Sequence, residues 1–202
     1  AVCQAGIICL TVLILGLIVF LGAHCVRIVA EPWRTQMLQR LGEKPWKGLY
    51  SLVSLIGFAL IIWGYGLARY DPVVLWQPPV AMRHIASLLT LASFILLTAA
   101  YVPGNSIKAR LRHPMILGVK LWAFAHLLAN GMLADLVLFG AFLLWAVLDY
   151  RAARERDREQ SISYGQGKLM PSIVAVVIGT LLWAAFAFWL HRWWIGVAPF
   201  GG

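Results

Sequence analysis

Charge in this chain is confined to short clusters, and the stretches between them are long enough to cross a bilayer. The first stretch, from about Ile7 to Val29, contains no acidic or basic residue before Arg27. A helix rises about 1.5 Å per residue, so about 20 such residues traverse the ~30 Å hydrocarbon layer. Residues are 61% hydrophobic and 12% charged over 202 positions, with 10 tryptophans, more apolar surface than a water-soluble core of this size hides. The solvent these residues require is lipid.

Similar reasoning places the later spans. The second runs from Gly48 to Ala68, entered through Lys44-Pro45-Trp46, where proline suits a first helical turn and tryptophan an interface. Its Ser51, Ser54, Gly57 and Gly64 predict a small-residue face on which another helix packs. The third span, about Ile85 to Val102, is bounded by Pro78-Pro79 and Pro103-Gly104. From Pro114 to Leu148 the apolar run is interrupted by Lys120, His126, Asn130-Gly131 and Asp135, so it divides into two helices turning near Asn130-Gly131, the first of them short. A charged, helix-prone segment from Asp149 to Lys168 leads to the last span, Ile173 to Ile195, which ends in His191-Arg192-Trp193-Trp194. The segment Arg34 to Leu41 reads as a short surface helix or an amphipathic linker. The expected fold class is all-α: one polytopic integral membrane helical bundle of about six transmembrane helices over residues 1–202.

Seventeen Lys and Arg against eight Asp and Glu would suggest nucleic acid in a soluble protein, but here the cations sit in short loops and read as topology signals. Alternate loops carry 5 (Arg27 to Lys47), 3 (Lys108, Arg110, Arg112) and 5 (Arg151 to Lys168) basic residues. The opposite side has Arg69, Arg83 and Arg192. The positive-inside rule therefore places both termini outside the cytoplasm. The first segment has no basic start and is expected to be a retained anchor rather than a cleaved signal. Cys3, Cys9 and Cys25 form no CxxC pair and imply neither zinc nor a disulfide framework.

Ionisable groups inside spans are costly, which singles out His24, Lys120, His126 and Asp135. With Arg27 and Lys120 both taken as marking the cytoplasmic boundary, His24 and His126 lie roughly 5–9 Å deep on different helices. Two imidazoles facing each other in a dry bundle meet the requirement for axial ligation of a haem iron, and the alternative for each is a helix-to-helix hydrogen bond. His113, beside Arg112 and before Pro114, is a helix-start residue and the reserve ligand. Lys120 either reaches water or pairs with a haem propionate. His84 and His191 read as interfacial, Asp135 as a helix cap, and Cys25 as a small buried residue. The sequence contains no phosphate-binding glycine loop, nucleophile triad or carboxylate pair.

Three runs carry a family resemblance: Gly22 to Arg27, Leu41-Gly42-Glu43 with Trp46 to Ser51, and above all Arg112-His113-Pro114 with Leu121 to Gly131. Over about residues 10–150 the chain resembles the NnrU family of bacterial membrane proteins, leaving a C-terminal helix of about 172–195 largely outside the recognised part. That family is similar to plant 15-cis-zeta-carotene isomerase, a haem b enzyme of membranes, and the resemblance implies His24 and His126 as axial ligands. One departure is Ala123, where the isomerase has a cysteine implicated in ligand switching, and it weighs more against isomerisation than against haem binding.

The resemblance implies a haem b protein of the bacterial inner membrane, associated with nitrogen-oxide or redox metabolism, with isomerase-like chemistry on a lipophilic substrate as one form. The alternative from a different class is a non-enzymatic accessory subunit or assembly factor of a larger complex. Expected partners are the lipid bilayer, other membrane subunits or a second copy, and no nucleic acid. A transporter fits less well, since no matched pair of broken helices marks an inverted repeat. A membrane methyltransferase would need a recognisable cofactor-binding tail, which is missing.

Overall fold

The computed structural model describes residues 2–200, with side chains from residue 10 onward. Cys3 and Cys9 thus have side chains outside the described residues, and Cys25 is a free thiol. The helices are α1 (Val2–Val29), α2 (Glu31–Leu41), α3 (Glu43–Ala68), α4 (Val80–Tyr101), α5 (Ser106–Leu111), α6 (Pro114–Ala129), α7 (Leu133–Glu159), α8 (Leu169–Ala185) and α9 (His191–Ile195), with a π-helical turn, Phe186–Leu190, joining the last two. Five segments are long and apolar enough to cross a membrane: Leu10–Val29, α3, α4, α7 and Leu169–Ile195. The apolar α6 is shorter, 16 residues, or about 24 Å. The chain is therefore a polytopic helical membrane protein of roughly six spans, with the short one ending at Asn130-Gly131 as expected. Large apolar side chains point outward, among them Leu55, Trp63, Leu88 and Leu181, as lipid-facing helices require.

The chain forms two compact units, residues 1–76 with 131–149 and residues 77–130 with 150–202. In the first, α1 and α3 approach at backbone distance. A Cβ on Gly57 would lie 2.6 Å from Phe20 N, one on Gly16 2.6 Å from Ile61 N, and one on Gly64 would meet the backbone of Leu13. Gly57, Ile61 and Gly64 are buried on one stripe of α3, so the small-residue seam is real at its glycines, while Ser51 faces outward. The first part of α7 completes this unit, with Ala134, Leu138, Phe139 and Ala146 buried. Its start is capped by Asp135 from within the first turn. Asp135 Oδ2 accepts from Met132 N at 3.1 Å, and Oδ1 accepts from the Tyr65 hydroxyl at 2.6 Å. Asp135 is 2% exposed, so the capping role expected of it also ties α7 to α3.

In the second unit α4 lies between α6 and α8. Fully buried Ser93 donates to Gly118 O at 2.7 Å, and a Cβ on Gly179 would stand 2.7 Å from Ile95 Cα. The turn into α5 is held by buried Asn105, whose Oδ1 accepts from Lys108 N at 2.7 Å and whose Nδ2 donates to Ala99 O at 2.8 Å. Between α5 and α6, Arg112 has φ 67° and ψ −54°, and His113 N donates to Leu111 O at 2.8 Å. That is a γ-turn of the strained kind, and it allows Pro114 to open α6 at its first turn. The helical reading of residues 149–168 holds to Glu159; beyond it the chain turns through Ser161 at φ 50°.

Candidate functional site

His24 lies on α1 one turn before its C-terminus, in the first unit. Its Nδ1 is 2.7 Å from Phe20 O. A carbonyl only accepts, so Nδ1 carries the hydrogen, and the neutral ring keeps its lone pair on Nε2. Aromatic rings surround it. Phe20 stacks at 4.3 Å between centroids, Tyr50 lies at 5.3 Å, and Trp145 of α7 stands at 5.9 Å and 89°. Trp145 Nε1 is buried with no hydrogen-bond partner in the structure. A buried donor left unpaired costs about 1–3 kcal/mol, so this N–H beside the imidazole asks for an acceptor that the protein does not supply.

His126 belongs to the second unit, near the C-terminus of α6. Its Nδ1 is 2.8 Å from Trp122 O, which fixes the same tautomer, and Asn130 Nδ2 donates to its carbonyl at 2.9 Å. α6 starts at Pro114, so Lys120 is in its second turn, and His126 stands about 18 Å along the helix from Pro114. Lys120 Nζ lies 5.9 Å from the centre of the Tyr150 ring, a cation–π contact.

His113 is otherwise engaged. Its Nε2 pairs with Asp157 Oδ2 at 2.9 Å, and Asp157, 5% exposed, also accepts from the Tyr164 hydroxyl at 3.1 and 3.2 Å. Burial first, then the bond and charge of Asp157, push the Tyr164 phenol above its ordinary value. Arg112 lies over the Tyr164 ring at 5.7 Å. With the imidazole on Asp157, these residues fasten the chain after α7 to the start of α6.

One arrangement eluded the sequence. His191, expected to be interfacial, donates from Nδ1 to Val197 O at 2.7 Å and, with His126, Arg83 and Asn130, lines a cavity of about 290 Å³ in the second unit. Its position depends on the π-helical turn before it and on the left-handed Gly196 after α9 (φ 76°), neither of which has a signature beyond the glycine. Trp145 likewise carries no sequence signal, since nothing in sequence tells an unpartnered indole from a packed one. Among the described residues no cluster of three or more His, Cys, Asp or Glu side chains is placed to hold a bare metal ion.

The family model described as NnrU protein matches residues 12–199. The match continues through α8 and α9. No curated protein and no solved structure matches the chain.

Proposed function

The chain belongs to the NnrU family, and on that premise we propose that it binds haem b, which His24 of the first unit would hold, with His126 of the second unit a separate candidate ligand. The observation that carries this reading is the setting of His24: an imidazole whose Nδ1 is anchored on Phe20 O, presenting Nε2, beside the unpartnered buried Trp145 N–H. Ligating histidines are characteristically oriented by such a bond from the other ring nitrogen. Phe20, Tyr50 and Trp145 supply the apolar walls a porphyrin requires, and the indole N–H suits an oxygen acceptor on its rim. His126 repeats the anchoring on Trp122 O. Lys120, over the Tyr150 ring, is a candidate cation for a propionate only of a group held in its own unit, whereas His113 is committed to Asp157. Bound haem would supply an iron for redox or isomerase-like chemistry on a lipophilic substrate, and the protein's share is to hold the ring and exclude water.

The same reading places the protein in the bacterial inner membrane with both termini periplasmic, since basic residues crowd alternate loops, and in nitrogen-oxide or redox metabolism. The visible spectrum of the purified protein tests it. Wild type is expected to show a Soret band that is lost in His24→Ala, weakened in His126→Ala and reduced several-fold in occupancy in Trp145→Phe. An iron-free, colourless wild type from haem-replete cells would overturn the proposal and leave the accessory-subunit reading, whose test is co-purification with a defined membrane complex.

A further inference from the structure

The cavity of the second unit lies at the end of the unit where Arg83 opens α4, Asn130 follows α6 and the chain after α9 turns back. Three features build it. The π-helical turn Phe186–Leu190 inserts an extra residue into the helical repeat, a device common at functional sites, and delivers Phe186, Ala187 and His191 to the cavity wall. Gly196, left-handed, then reverses the chain, so that Val197 O receives the His191 Nδ1 hydrogen and Phe200 stacks on Phe188 at 5.2 Å. Finally, Trp183 is fixed as a wall by its Nε1–H, which donates to Thr90 Oγ1 at 3.2 Å.

Chemistry and size together limit the occupant. At about 290 Å³, the space sits at the lower edge of the ~300–1,000 Å³ of small-molecule sites, room for one substituted ring and not for a porphyrin. The walls are flat: Trp122, Trp183, Phe94, Phe186 and Phe200 favour an aromatic ring over a flexible chain. The polar groups are of two kinds. Anchored through Nδ1, His191 offers Nε2 as an acceptor, which calls for an O–H on the ligand, and Arg83 offers donors for a second oxygen. His126 also borders the cavity, and His191, Arg83 and the aromatic walls suffice without it. We propose that this cavity binds the head group of a lipid quinol, a single flat ring carrying hydroxyls, with its tail in the surrounding hydrocarbon. The site goes beyond the haem reading and holds with or without it.

The test is equilibrium retention of a decyl-tailed benzoquinol, kept reduced under nitrogen, by the full chain in lipid nanodiscs, with empty discs giving the partition background. One quinol per chain is expected above background. Its dimethyl ether, which has the same ring but no O–H for His191, should bind about tenfold more weakly, as should quinol to His191→Ala. Phe200→Ala should weaken retention several-fold, and His24→Ala should retain quinol like wild type whatever its spectrum, which separates this site from the haem. Equal binding of quinol and ether to wild type would overturn the proposal without reliance on any variant's folding. So would retention no greater than that of empty discs, or displacement of the quinol by equimolar decanoate, which would assign the cavity to a fatty carboxylate.

Discussion

Gly57→Ala tests the link from helix packing to the His24 site. The added Cβ would lie 2.6 Å from Phe20 N and 2.8 Å from Phe20 Cα. Non-bonded carbons prefer about 3.5–4.0 Å, so α1 and α3 must part by about 1 Å. Both clashing atoms are backbone, and no rotamer change relieves the contact. Parting the helices also loosens the close approaches at Gly16 and Gly64. Overpacking costs about 1–3 kcal/mol, and with no flexible neighbour to give way a value of about 2–3 kcal/mol is expected. The residue pushed is the one whose carbonyl holds His24 Nδ1, so the substitution should also reduce haem occupancy in the preparation used for the spectrum. Gly66, on the same helix, is an internal control, because a Cβ there meets nothing within 4 Å. Gly66→Ala should change stability by no more than about 1 kcal/mol in either direction. Unfolding in mixed detergent micelles of rising dodecyl sulfate fraction, followed by circular dichroism, reads both. A Gly57→Ala protein that unfolds at the wild-type midpoint would refute the close-packed seam.

Asp135→Ala removes the acceptor of both Tyr65 and Met132 N; a loss of about 2–3 kcal/mol is expected in the same unfolding assay, and Tyr65→Phe in the Asp135→Ala background should recover part of it. Tyr164 has its phenol raised above the ordinary 10.0 by burial and by Asp157, so its contribution is full below about pH 10 and disappears as pH rises through the raised value. Thermal midpoints should therefore fall above pH 10 more steeply in wild type than in Tyr164→Phe, and parallel curves would refute the contact. Asp157→Ala leaves His113 and Tyr164 without their shared acceptor; faster proteolysis between Gln160 and Lys168 than in wild type is expected, and an unchanged cleavage rate would show that the network does not fasten that segment.

The membrane fold was legible in the sequence because crossing a bilayer is a local requirement. Hydrocarbon allows no unpaired backbone group and few charges, so each span must be a helix of sufficient length bounded by polar residues, and Arg27, Pro78-Pro79, Pro103-Gly104 and Asn130-Gly131 mark those bounds without any tertiary contact. Gly57 and Gly64 announced a packing face for the same reason, since only small residues let two backbones meet. Tertiary structure decided the rest. A strained γ-turn at Arg112 leads into Pro114 at the start of α6, with Lys120 inside the helix. His113 and His24 are both histidines near helix ends; what distinguishes them is that Asp157, 44 residues away, occupies the first, whereas aromatic rings and an unpartnered indole surround the second. A π-helical turn and a left-handed glycine carry His191 into a cavity instead of leaving it at the interface. Span length and polarity are properties of one segment, but the partner of a side chain is a property of several, and the chemistry of each histidine rests on its partner.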